Sequence, residues 1–283
     1  MENMKKYFRI FILLISSVSL SYGIEFSFKF SGGLNYLKLN NINRILQDWA
    51  GEYEKRAQSK EFWNFEGEVK KFHRGIEFEG EVIITLSPRF GVSLGSGYIY
   101  GEISDRETEI TVERKFGTDI RVRPNKVSAY PLSLSGYLFL PLRGKISPYI
   151  KGTVGVYFVK YIDWQGKRTL PKTEFNYSSQ IAEAVGPAFE GGLGFTVEVD
   201  SHLRFFMEGS ARKAKISGFE GEIRKGEQGT LFYFEEYDSE LDFWQAKVEI
   251  LTEKPGGEEF RSVHEAKVDF SGFSVKIGLI IKF

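Results

Sequence analysis

The chain closes with FSVKIGLIIKF, Phe273 to Phe283. Successive side chains of an extended strand point to opposite faces, so Phe273, Val275, Ile277, Leu279, Ile281 and Phe283 share one side. Ser274, Lys276, Gly278, Ile280 and Lys282 share the other. One face is greasy and the other mostly wet, and the fold is decided by what the greasy face meets.

The same period-two pattern recurs along the chain. From Ile24 the even positions read Ile24, Phe26, Phe28, Phe30, Gly32, Leu34 and Tyr36, against Glu25, Ser27, Lys29, Ser31, Gly33 and Asn35. Six further stretches alternate likewise: 75–86, 89–101, 129–140, 149–159, 185–199 and 202–212. Together with the last one they make eight strands of about ten residues, the length that a tilted membrane-crossing strand needs. Their connections are sorted by length. Ser87-Pro88, Pro141 to Pro148 and Asp200-Ser201-His202 are short, whereas Asn40 to Arg74, Glu102 to Lys126, Ile162 to Ala184 and Lys213 to Ala266 are long and charged. A soluble sandwich has no reason to sort its loops this way, and a membrane barrel does. The expected fold is all-β: a transmembrane eight-stranded antiparallel up-and-down β-barrel over residues 24–283. Its long loops are expected to be extracellular and both of its termini periplasmic.

The charges fit an interior. The wet faces hold Glu25, Glu77, Glu79, Glu81, Glu190, Glu198 and Glu208 against Lys29, Arg89, Lys151, Arg204, Arg212, Lys276 and Lys282, seven of each sign. An eight-stranded barrel is just wide enough for side chains to fill, and a buried charge without a partner is costly. A lumen network is therefore expected from Lys29, Glu79, Glu81, Lys151, Glu190, Glu208, Arg212 and Lys276. The greasy rows carry charge only at Lys38 and Lys160, near the long loops. Aromatics crowd the ends of those rows, Tyr36, Tyr98, Tyr100, Tyr130 and Phe158 at one end and Phe26, Phe90, Phe205 and Phe283 at the other, as two interfacial girdles would require.

Composition sets the outer bounds. The formal net charge is zero, which argues against a nucleic-acid partner. Aromatic residues make up 16% and there are 30 glycines, a mixture suited to β architectures with ring anchors and tight backbone contacts. Cysteine is absent, so neither a disulfide nor a thiolate metal site can form, and no cofactor is expected. The opening stretch, MENMKKYFRIFILLISSVSLSYG, has the basic start, short apolar run and small residues of a secretory signal peptide, expected over 1–23 with cleavage near Ser21 or Gly23.

The row Phe273, Val275, Ile277, Leu279, Ile281 and Phe283 resembles the C-terminal strand signature of bacterial outer-membrane proteins. That resemblance implies recognition by the barrel-assembly machinery. Leu132 to Phe158, with its SPY turn and the spaced Gly152 and Gly155, is similar to the family of small eight-stranded barrels that includes OmpA, OmpX and OmpW. The likeness implies a Gram-negative outer membrane, with its lipid and lipopolysaccharide as surrounding partners. Cell-wall anchoring through a separate domain is not carried over.

Chemistry on top of this frame is sparse. The three histidines, His73, His202 and His264, are scattered, and Ser262 or Ser271 beside His264 lacks the His-x-Ser pattern of the deacylases. No catalytic or metal-binding residue is assigned, and a non-enzymatic surface or envelope-structural role is expected. The alternatives are a narrow solute channel, as the OmpW likeness would allow, and a lipid A-modifying enzyme. Gly95 and Gly97, and Gly192 and Gly194, lie inside strands, where close packing explains them better than phosphate binding. In the first long loop Ile42, Ile45, Leu46, Trp49 and Tyr53 fall at helical spacing, which predicts a lid over the barrel mouth. In the last one, strands seven and eight are expected to extend as a hairpin whose tip exposes Phe232, Phe234, Phe243 and Trp244.

Overall fold

The computed structural model describes residues 25–59, 64–115, 117–140, 144–170, 174–224 and 226–283. The leader expected over 1–23 lies outside them. Eight long strands carry the alternation: β1 (Glu25–Leu37), β2 (Arg74–Ser87), β3 (Phe90–Ile103), β4 (Asn125–Phe139), β5 (Ile146–Thr169), β6 (Asn176–Glu198), β7 (Leu203–Lys213) and β8 (Gly272–Lys282). Each pairs antiparallel with the next, and β8 pairs with β1.

The faces are inverted relative to a soluble β protein, whose apolar side packs inward. Leu34 is 71% exposed, Leu94 59% and Leu193 66%, while on the opposite faces Lys29 is 1% exposed, Glu81 3% and Glu208 0%. The rings at the row ends are outside too: Tyr36, Tyr130 and Phe158 at the loop end, Phe90, Phe205 and Phe283 at the turn end. Neighbouring rings touch along these belts, Tyr98 with Tyr130 at 4.9 Å and Phe28 with Phe283 at 5.3 Å between centroids.

The strand count exceeds the expected eight. Among the described residues there are seventeen, because the long connections build strands of their own. Ile162 to Ala184, expected as a loop, is largely strand: β5 and β6 stay in register from Ile146↔Val197 up to Lys167↔Asn176. At about 3.3 Å per residue the 24 residues of β5 run about 80 Å, far beyond a bilayer core of about 30 Å. Short strands at 110–114 and 117–122 join this extension, and a hairpin of 227–238 with 243–251 reaches β6 through 220–224. β7 and β8 do not continue as one uninterrupted hairpin: among the described residues Lys215–Ile216 pairs with Val268–Asp269, and farther out Phe260–Glu265 pairs with the 227–238 strand.

The first connection forms the helix α1 (Asn40–Ser59). Ile42, Ile45, Leu46 and Trp49, spaced to fall on one helical face, are buried against Leu37, Ile99, Ile103, Val127, Ala246 and Val248 in one apolar core at the loop end. Asn43 pins the helix, its Nδ2 donating to the Phe72 carbonyl at 3.0 Å and its Oδ1 accepting from the Phe72 amide at 2.6 Å. Strand 243–251 would otherwise present an open edge. Asp48 accepts from the Ala246 amide at 3.1 Å and Gln180 from the Ile250 amide at 3.0 Å, so side chains occupy it. The aromatic tip expected there is packed instead: Phe234 is buried edge-on against Phe260, and Trp244 lies under Arg261.

Candidate functional site in the interior

Odd-numbered side chains of β1, β2, β3, β4 and β5 and even-numbered ones of β6, β7 and β8 point inward, and most of their charges converge midway along the strands. Lys29 donates to Glu81 at 3.0 Å, to Glu208 at 2.8 Å and to the Tyr137 hydroxyl at 3.2 Å, which uses all three of its donors. Tyr137 and Ser93 in turn donate to Glu81 at 2.7 and 2.6 Å, and Tyr149 donates to Glu208 at 2.8 Å. Lys151 joins Glu81 at 2.8 Å to Glu79 at 3.2 Å.

Towards the loop end, Lys276 meets Glu190 at 2.7 Å, Glu79 at 3.1 Å and Glu77 at 3.5 Å. Arg212 meets Glu77 at 3.0 Å and Glu190 at 3.7 Å, and also donates to the Phe270 carbonyl at 3.1 Å. The structure thus brings together Lys29, Glu79, Glu81, Lys151, Glu190, Glu208, Arg212 and Lys276. Every strand from β1 to β8 contributes, β3 through Ser93 and β4 through Tyr137. Charges taken out of water are held here by mutual pairing and added hydrogen bonds, the condition under which burial is tolerable.

Rings close the turn end of this cluster. Ile83, Tyr137 and Tyr149 pack together with Phe139, and the Lys29 ammonium sits 4.5 Å above the Phe206 ring. Two glycines make room: a Cβ on Gly194 would overlap the Tyr149 ring, and one on Gly278 would press on Phe206. At the rim, Lys282 pairs with Glu25 at 2.9 Å and Arg204 with Glu198 at 3.5 Å, apart from the central cluster.

Sequence reasoning left Glu77 out of the network, although it shares a row with Glu79 and Glu81. It also passed over Tyr137, Tyr149 and Ser93, whose hydroxyls read as ordinary wall residues. A second buried pair was missed outright. Arg123 donates to both oxygens of Asp163, at 3.1 and 2.6 Å, in the core beyond the apolar belt, where both residues read as loop. Burial opposes its charge, yet the Asp163 carboxylate keeps the Arg123 guanidinium above its ordinary pKa.

The histidines do not converge. His73 stacks on Tyr36 and contacts the Leu37 carbonyl, His202 contacts Ser201, and His264 stacks on Tyr233. The Ser271 hydroxyl accepts the Ala214 amide. Among the described residues no group of three or more His, Asp or Glu side chains could hold a metal ion.

No protein-family model matches the chain, and no curated protein matches it either. Among solved structures, the chain is similar to the outer membrane protein OprG from Pseudomonas aeruginosa, 13% identical at TM-score 0.38, over 92% of this chain and 95% of that one. It is similar to the outer membrane protease OmpT from Escherichia coli, 8% identical at TM-score 0.26, over 92% and 96%. The third is the translocator domain of the autotransporter NalP from Neisseria meningitidis, 8% identical at TM-score 0.21, over 100% and 98%. At these scores the fold is argued from the strand registers and not from the likeness. The comparison does correct one expectation: because one neighbour is a protease, the exclusion of enzymatic activity is withdrawn, and at TM-score 0.26 no activity takes its place.

Proposed function

We propose that residues 24–283 form an integral outer-membrane β-barrel, exported by a signal peptide over 1–23, whose wall is the transmembrane, up-and-down set β1 to β8. The observation that carries this is the exposure of eight apolar rows around a buried charge network. A soluble protein would have to keep those rows in water.

Register supports closure. Stepping through paired residues, Ser27 leads to Ile83, Ser93, Ser135, Thr153, Glu190, Arg212 and Gly272, and from there to Leu37, ten residues further along β1. Ten residues at about 3.3 Å against eight spacings of about 4.8 Å give a strand tilt of about 41°, inside the roughly 35–45° of membrane barrels. At that tilt the 13 residues of β1 rise about 32 Å, enough for a bilayer core of about 30 Å.

Within that frame, the reading best supported is a surface or envelope-structural role. Ionic contacts span the interior from wall to wall, and α1 with the long connections builds an ordered body above the mouth, placed to contact a ligand or another surface. Reconstitution into planar bilayers tests the closed interior: no stable conductance is expected, and steady open channels would overturn it. Fractionation without detergent tests the membrane reading itself; a monomer that stays in solution would end it.

A further inference from the structure

Just beyond the loop-end belt, the tops of β1, β2 and β3 enclose a hollow of about 540 Å³ whose lining includes Tyr36, Lys70, Lys71, His73, Arg74 and Glu102. Lys38 follows Leu37, whose amide donates to the His73 carbonyl at 2.8 Å. Lys38, Lys70, Lys71 and Arg74 are exposed, and among the described residues none of them has a carboxylate within ion-pair distance.

The acids of the hollow are already engaged. Glu102 accepts from the Tyr100 hydroxyl, and Glu107 accepts from the Ser104 amide at 3.1 Å and hydroxyl at 3.0 Å. Those donors are neutral and leave both carboxylates charged, but they hold Glu102 and Glu107 in place, and Lys38, Lys70, Lys71 and Arg74 outnumber them, so the excess charge here is positive in a chain whose formal net charge is zero.

Directly below, the wall is apolar and outward-facing. Arg74 is registered opposite Tyr36, and next along the same face come Leu34 opposite Ile76 and then Gly32 opposite Phe78. Leu34, Ile76 and Phe78 are all exposed, so a greasy strip leads straight up to a cluster of free cations, with the Tyr36 ring at the junction. That order along the wall, apolar, aromatic, cationic, matches acyl chain, interface and anionic head group.

We propose that this hollow binds the phosphate group of a phosphorylated lipid, with Lys70, Lys71 and Arg74 holding the phosphate and the acyl chains lying along Leu34, Ile76 and Phe78. The inference rests on the membrane reading above. Arg74 supplies a planar fork suited to phosphate oxygens and the lysines supply mobile point charges.

Native mass spectrometry of the detergent-purified full chain tests it, using phosphatidic acid, the diacylglycerol with the same chains, and inorganic phosphate as probes. Phosphatidic acid is expected to be retained at least tenfold better than the diacylglycerol. The combined variant Lys70→Gln, Lys71→Gln, Arg74→Gln is expected to abolish that preference. These side chains are exposed and unpaired, and unboiled gel mobility equal to the parent's would show that the variant still folds. If inorganic phosphate alone binds as well as phosphatidic acid and displaces it, the phosphate chemistry stands and the free ion is the ligand. Equal retention of the diacylglycerol, or an unchanged preference in a folded variant, overturns the proposal. Loss of the lipid preference in a chain that still requires detergent would leave the membrane reading intact; solubility in water would remove both.

Discussion

Lys29 on β1 and Glu208 on β7 meet at 2.8 Å although their strands never pair, because β8 stands between them. The contact is made across the interior and not along the wall. It ties the fate of each charge to a strand two places away.

Removing one partner of a buried ion pair costs about 3–5 kcal/mol, since the other is left uncompensated. Lys29→Met takes from Glu208 its nearest cation, at 2.8 Å, and from Glu81 one of two, so unfolding in urea from lipid vesicles is expected to show a loss towards the lower end of that range. Adding Glu208→Leu to Lys29→Met should recover part of it. An unchanged midpoint for the single variant would contradict the interior described above.

The exposed rows offer an opposite test. Leu134 is registered between Leu94 and Val154, at the middle of its strand, and is 56% exposed. In water, Arg at such a position would be nearly neutral; facing lipid at mid-depth it costs about 2–4 kcal/mol. Leu134→Arg is accordingly expected to lower stability in vesicles by that amount, read from the same urea titration.

The pin between α1 and the 64–74 segment can be cut without touching the wall. Asn43→Ala removes both hydrogen bonds to Phe72 and leaves buried backbone groups unpaired, a loss of about 1–3 kcal/mol. Limited proteolysis should then cleave between residues 40 and 74 sooner than in the parent, while β1 to β8 stay protected.

Acidity should act on the helix contact with a definite sign. Burial raises the pKa of Asp48 despite the Ala246 amide and Arg44, and burial raises that of Glu249 despite Lys247. A carboxyl that holds its proton more tightly folded than unfolded favours folding at low pH, and that favour is lost as pH climbs through its raised folded pKa. From these two groups alone, docking of α1 and its hairpin is expected to strengthen as pH falls from 7 towards about 4. Hydrogen exchange of residues 40–59 in the parent against Asp48→Asn, which lacks the titration, measures Asp48's share.

Much of the wall was legible in the sequence because period two survives wherever one face is uniformly apolar. Leu132 to Leu140 and Phe273 to Phe283 announced both their faces. The network was legible in the same way, since Lys29, Glu79, Glu81 and Lys276 each interrupt a wet row with charge. The loop-end body was not. There Tyr161, Ile162 and Asp163 are all buried in succession, because the upper part of β5 is covered on both sides, and alternation vanishes. Arg123 and Asp163 looked like loop charges for the same reason, as nothing local reveals that they pair 40 positions apart. Phe234 and Trp244 looked like an exposed tip because their cover, Phe260 and Arg261, comes from a distant stretch.

Lys276 lies on β8, the last of the eight wall strands in chain order. Until β8 is seated, Glu190, Glu79 and Glu77 lack the ammonium that lies among them, and a seven-stranded intermediate would hold surplus negative charge in a half-open trough. Sealing the seam against β1 and β7 brings in that counter-charge in the same movement. A chain built this way has little reason to pause one strand short of completion, and its biogenesis should look all-or-none at the final step.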